Sequence, residues 1–222
     1  MEPILFRDIS LDYTEDALLA FIVGKSILDD DEDRDLIHRM ARDAMSIACP
    51  KAACCMAEIT ARSSDWVEIE GTRITSPLVI HNLENTHRVF PYIATCGTEL
   101  EAWSHNFSDP LEQYWADQVK LFYLGKIRSY MSDEIRKRFF PAGHMSSMNP
   151  GSLKEWPLTQ QAVLFRLLGN AAEDIGVALT NSFLMLPSKS SSGFFFSSRE
   201  AYENCQFCPI LNCPGRRAPY QQ

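Results

Sequence analysis

Apolar positions recur at helical spacing over residues 15–28, behind Thr14, whose side chain suits the cap of a first turn. The acidic run Asp29–Asp33 reads as a solvated turn opening the next helix. In that helix Leu36, Met40, Ala44 and Ile47 share one face, and Pro50 breaks or restarts it. From Trp66 to Ile74 the period changes to two. Val67 and Ile69 alternate with Glu68 and Glu70, and Gly71 supplies the turn of a hairpin. Residues 77–80 and 89–95 predict two more strands, the second ended by Gly97, and Glu99–Phe107 predicts a helix. The longest helix starts at Asp109-Pro110, a capping residue followed by proline at the first helical position. Leu111, Trp115, Val119, Phe122, Lys126 and Tyr130 keep its inward spacing, with the Lys126 stem laid along the face, and it fades near Phe139. Residues 141–157, which hold Pro141, Gly143, Pro150, Gly151 and Pro157, read as a long irregular loop of the kind that carries function. Leu158–Leu168 is helical again. Val177–Leu186 and Ser192–Ser198 read as strands around a turn at Pro187-Ser188-Lys189. Helices and strands mix without regular alternation, which predicts an α+β fold with a mainly antiparallel sheet and flanking helices.

Composition narrows the function classes. The 222 residues are 45% apolar and 23% charged, enough for a packed core without staples. The net charge of -8 argues against nucleic acid and against an anionic membrane surface. No apolar run approaches the roughly 20 residues that cross a bilayer. The start, MEPILFRDISLDYTED, lacks the basic and apolar regions of a signal peptide, so a cytoplasmic location is expected. There is no P-loop, no G-x-G-x-x-G and no Ser/His/Asp hydrolase signature. His144 reads as a solvated loop residue, and His81 and His87 flank a turn without chemistry.

The seven cysteines change the picture at the C-terminus. In a reducing compartment they are free thiols, metal ligands or redox groups rather than structural disulfides. Cys205-x2-Cys208-x4-Cys213 has the spacing to wrap one metal or one face of an iron–sulfur cluster. Cys49, Cys54, Cys55 and Cys96 are the candidates for a fourth ligand. Cys54 and Cys55 fall on an expected helix as small core residues, whereas Cys96, at a strand end, is the freer. Zinc would act as a clamp; a cluster would carry single electrons. The chain thus divides into residues 1–200 and a Cys-rich tail, 201–222.

The segment LTNSFLMLPSKSSSGFFFSS, Leu179–Ser198, resembles the strand-turn-strand of the vitamin B12-dependent methionine synthase activation domain family, LTES-x-x-M-x-P-x-x-SVSG followed by aromatics. Leu179, Thr180, Ser182, Met185, Pro187, Ser190, Ser192 and Gly193 match it, with Asn181 for Glu and Ser191 for Val. NPGSLKEWPLTQQAVLFRLLG resembles the pro-gly loop and following helix of free-standing members, and IATCGTELE the family's strand-to-helix turn. The match runs over about residues 90–200 and is weak over the first 80.

The resemblance implies a curved antiparallel sheet that binds S-adenosylmethionine and docks on a cobalamin domain. There an electron donor supplies one electron and S-adenosylmethionine the methyl group that remethylates inactive cob(II)alamin. The implied cofactor-binding residues are Arg138, Pro150, Gly151, Ser152, Lys189, Ser190, Gly193 and Phe195, in a cleft between the 141–157 loop and the 187–196 hairpin. The family's methyl-donor loop is R-x-x-PGY. Here Ser147 stands at the Arg position and Ser152 at the Tyr position, and serine cannot reproduce a bidentate guanidinium–carboxylate pair. Arg138 is the residue placed to return to that site, and Phe195 stands where a tyrosine is usual. Without a D-x-H-x-x-G motif of its own, the chain needs a corrinoid-binding protein as partner, either methionine synthase or the corrinoid protein of an anaerobic methyltransferase. The alternative is a non-catalytic metal- or iron–sulfur-binding adaptor that has lost the methyl-donor site.

Overall fold

The computed structural model describes residues 2–24, 31–199, 202–213, 216 and 218–221. The strands are β1 (Ile4–Phe6), β2 (Lys51–Cys54), β3 (Ala57–Arg62), β4 (Val67–Ile69), β5 (Thr72–Ile74), β6 (Arg88–Thr95), β7 (His144–Met148), β8 (Ala178–Leu179), β9 (Met185–Leu186) and β10 (Ser190–Ser198). The helices are α1 (Glu15–Val23), α2 (Asp31–Ile47), α3 (Pro77–Asn82), α4 (Thr98–Ser104), α5 (Pro110–Phe139), α6 (Gln161–Leu168) and α7 (Ala171–Asp174). The main sheet is antiparallel throughout. β6 is its centre, pairing β10 on one side and β2 and β3 on the other, and β7 extends the sheet beyond β10. No described helix is long and apolar enough to cross a membrane. The α+β reading, with a mainly antiparallel sheet, is the fold observed.

β6 is apolar at every position from Val89 to Ala94 because both its faces are covered. Val89 and Ile93 join one core with Trp156, Leu164, Leu167, Phe194 and Phe196, under α6 and α7. Phe90, Tyr92 and Ala94 join another with Leu124, Ile127, Met131, Ile135 and Phe195, under α5. Burying each such aromatic stabilises the fold by about 2–3 kcal/mol relative to leaving it in water. Pro91, which donates no backbone hydrogen bond, lies at the gap between β2 and β3, where its carbonyl accepts from Cys55 N at 2.9 Å. A third core joins α1, α2, α4 and α5.

Helix starts agree with the capping signals. Thr14 accepts from Ala17 N, and Asp109 from Leu111 N and Glu112 N, so α5 runs from Pro110 to Phe139 as the sequence predicts. Residues 25–30, including the end of the first predicted helix and Asp29, lie outside the described residues. In α2 the buried face is Ile37, Met40, Ala41 and Ala44, one step round from the predicted stripe, and Ile47 is exposed. Leu111 faces solvent.

Four expectations are corrected. Residues 77–80 are not a strand. Ser76 accepts from Val79 N and Pro77 occupies the first helical position, so the apolar PLVI opens α3. The 141–157 segment is not all loop. His144–Met148 pairs with β10 through backbone bonds that its weakly apolar side chains did not reveal. Val177–Leu186 is not one strand but a small ribbon, β8 and β9, broken by Phe183 at φ 62°. Cys54 ends β2 and Cys55 follows it, so neither is helical, although both are buried.

Gly193 shows the tightest approach in the sheet. A Cβ there would overlap the Met148 carbonyl and lie 2.5 Å from Asn149 Nδ2 and 3.0 Å from the Tyr92 hydroxyl. Gly125, on α5, has open space where its Cβ would be. Gly193→Ala is therefore expected to cost about 2–3 kcal/mol in urea denaturation. Gly125→Ala is expected to gain about 0.5–1 kcal/mol in the same measurement, from helix propensity alone.

Candidate functional site

The period of α5 places Leu121, Gly125, Arg128, Ser129, Ser132 and Arg136 in one row. Glycine and serine at three of these positions leave room beside the helix, and a groove of about 480 Å³ opens there. The alternation of β7 points Met145 and Ser147 into its far wall, and the register Phe195↔Ser147 brings Phe195 beside them. Phe195 stacks on Tyr92 with ring centroids 4.2 Å apart. Glu203 and Arg216 complete the wall.

The start of the tail is tied to β7. Tyr202 N donates to Ser146 Oγ at 2.7 Å, Ser147 N to Tyr202 O at 3.3 Å, and Asn204 Nδ2 to Asn149 O at 3.0 Å. Ser147 Oγ lies 3.2 and 3.1 Å from the two carboxylate oxygens of Glu203. Beyond Cys205 the chain has no hydrophobic period, and one guanidinium gathers it. Arg216 donates to the carbonyls of Cys205, Cys208, Ile210, Leu211 and Ala218.

The implied cofactor residues do not meet in one cleft. The 141–157 segment and the hairpin are joined by the β7–β10 ladder, so no cleft separates them, and each strand alternates its side chains between two faces. Ser147 and Phe195 face the α5 groove. Pro150 is buried, whereas Gly151 and Ser152 line a second groove of about 810 Å³ on the side of the first core, with Leu78, Leu158, Tyr202 and Ile210. Gly193 makes the close strand contact described above. Arg138 is exposed at the end of α5 and does not reach the groove; Arg136 and Arg128 line it instead. Arg128, Arg136, Glu203 and Arg216 were all missed from the sequence. The available signal was the row of small residues on α5 with arginines at its lower end.

Lys189 lies in a network of charges within the fold. Its ammonium is 2.7 Å from Asp117, and Lys120, almost wholly buried, is 3.2 Å from both Asp117 and Glu101. Ser188 Oγ donates to Glu101 at 2.9 Å, and Ser190 Oγ to Thr95 Oγ1 and the Pro187 carbonyl. The network fastens the 187–190 turn to α4 and α5. Burial opposes ionisation of Glu101 and Asp117. Hydrogen bonds and charge from Ser188 and Lys120 at Glu101, and from Lys189 and Lys120 at Asp117, outweigh it and hold both carboxyls below their ordinary range.

Among the described residues no three His, Cys, Asp or Glu side chains gather as a metal-binding group. Cys205 and Cys208 are half-buried and Cys213 is exposed, all three as free thiols. Cys96 does not join them. It is fully buried in the core of α1, α2, α4 and α5, its Sγ directed at the Gly97 carbonyl. Burial and then the charge of Glu101 push its thiol up to about 12, so it is protonated, whereas a metal takes the thiolate.

In sequence, residues 154–206 match the family model described as vitamin B12 dependent methionine synthase, activation domain. In structure, the chain is similar to the MetH reactivation domain solved by crystallography with AdoHcy bound. The TM-score is 0.63 at 14% identity, over 91% of this chain and 80% of that one. No curated protein matches in sequence.

The network carries an acid-sensitive share of stability. Both carboxyls titrate below their unfolded values, so their contribution is present above those values and is lost as pH falls through the folded ones. Lys120→Met is expected to cost about 2 kcal/mol near pH 7, because Glu101 loses its buried partner. That deficit should shrink or reverse at a pH below the folded values of both carboxyls, where the wild type keeps a buried lysine without anions. Urea denaturation at the two pH values measures both.

Proposed function

We propose that this chain, which carries the activation-domain signature over residues 154–206 and the fold of the MetH reactivation domain, is the S-adenosylmethionine-holding half of a corrinoid reactivation system. The observation that carries the reading is the α5 groove. Its volume suits a nucleoside-sized ligand, its wall has the buried aromatic Phe195, and its rim carries both guanidinium and carboxylate groups. A sulfonium-bearing amino acid nucleoside presents an aromatic base, an ammonium and a carboxylate, and those are the groups such a lining accommodates.

The partner is a corrinoid-bearing protein, methionine synthase or the corrinoid protein of an anaerobic methyltransferase. The partner brings the cobalt, and an electron-donor protein brings one electron to take cob(II)alamin to the cobalt(I) state. The cobalt electron pair then forms the bond to the methyl carbon. The carbon–sulfur bond of S-adenosylmethionine breaks with its pair remaining on sulfur, leaving S-adenosylhomocysteine. The work of this chain is to hold the donor with its methyl toward the partner and to keep water from the groove. Seven free cysteines fit the reducing cytoplasm in which such a reaction runs.

The alternative, a metal- or cluster-holding adaptor, has its support in the free and partly accessible thiols of Cys205, Cys208 and Cys213. Loading would require the tail to leave the arrangement around Arg216.

Anaerobic mixing with a cob(II)alamin protein, a one-electron reductant and S-adenosylmethionine tests the proposal. The expected outcome is conversion of the cob(II) absorption to that of methylcobalamin, with S-adenosylhomocysteine formed in equal amount and only when this chain is present. Unchanged cob(II)alamin, together with iron and sulfide bound to Cys205, Cys208 and Cys213, would establish the adaptor instead.

A further inference from the structure

The α5 groove holds five charged side chains, and four of them are engaged. Arg136 pairs with Asp133 at 2.6 Å. Glu203 receives the Ser147 hydroxyl, and Arg216 is occupied by five backbone carbonyls. Arg128 is the exception. Among the described residues its guanidinium makes no hydrogen bond and no ion pair, and its Nε is buried without a partner. A donor shut off from water without a partner is costly, and the groove side of this half-buried guanidinium is where an incoming anion can pair with it. Its neighbours on the helix row, Gly125, Ser129 and Ser132, are small and uncharged, so no carboxylate on that row competes for its fork.

Ser147 lines the same groove at the position where the methyl-donor loop of the family has arginine. We propose that Arg128 is the anion anchor of this groove: the guanidinium that β7 lacks is supplied from α5, and it takes the carboxylate of the adenosylated amino acid. The inference rests on the reading of the groove as the methyl-donor site. Asp133 and Glu203 line the same groove, so a zwitterion can bring an ammonium to them and a carboxylate to Arg128. The planar fork of arginine matches the two oxygens of a carboxylate, so lysine at this position is an incomplete substitute.

The test is a cycle of two proteins and two ligands read by calorimetric titration: wild type and Arg128→Ala, each with S-adenosylhomocysteine and with its decarboxylated analogue. The wild type should bind S-adenosylhomocysteine about 10- to 100-fold more tightly than the analogue, the span of one charge-assisted bidentate pair. Arg128→Ala should bind the two ligands alike, at the affinity the wild type has for the analogue. Arg128→Lys, which keeps the charge and serves if the alanine variant does not fold, should retain only part of the preference. If Arg128→Ala keeps the full preference, or weakens both ligands equally, the anchor is refuted while the groove reading stands. If the wild type binds neither ligand, the groove reading falls and the anchor with it.

Discussion

The close packing of β10 between β6 and β7 is the constraint on which the rest of the molecule depends. At Gly193 the Met148 carbonyl and the Asn149 amide come so near that no side chain fits. Asn149 uses that proximity, donating to the Ser192 carbonyl and to the Tyr92 hydroxyl. With the strands fixed at this point, the three consecutive phenylalanines divide between the two faces. Phe194 and Phe196 complete one core and Phe195 the other. The same register sets Ser147 opposite Phe195 and so fixes the β-strand wall of the groove.

Electrostatics then act in two separate places. Around Lys120 and Lys189 the charges are mutually satisfied and hold the turn after β9 against the helices. Around the α5 groove an acidic chain concentrates three arginines, one of which organises the C-terminal tail and one of which has no partner among the described residues. In a chain with a net charge of -8, the unpartnered Arg128 is the feature of this groove that fits the proposed meeting with an anionic group.

Much of the fold was legible in the sequence where local chemistry and tertiary packing agree. Asp109-Pro110 marked the start of α5, and the alternation of Val67 and Ile69 with glutamates marked a hairpin. Legibility failed where the two diverge. PLVI has the composition of a strand, but Ser76 and Pro77 start a helix. HMSSM has no pattern of its own and becomes β7 because β10 offers it a ladder. For the site, the motif residues were found but their grouping was not. Ser147 and Phe195 face the α5 side of the β7–β10 ladder, whereas Gly151 and Ser152 lie in the turn beyond the end of β7 and line the other groove, and Lys189 belongs to the charge network. Arg128 and Arg216 lie outside any motif and are brought to the groove by helix period and by the path of the tail, neither of which short-range pattern records.

A crystal structure with S-adenosylhomocysteine soaked into the protein tests the central claim most directly, because the two grooves lie on different sides of the β7–β10 ladder. The expected result is ligand in the α5 groove, against Phe195 and with its carboxylate at Arg128. Ligand in the groove of Gly151, Ser152 and Leu158, or none at saturating concentration, would contradict the account.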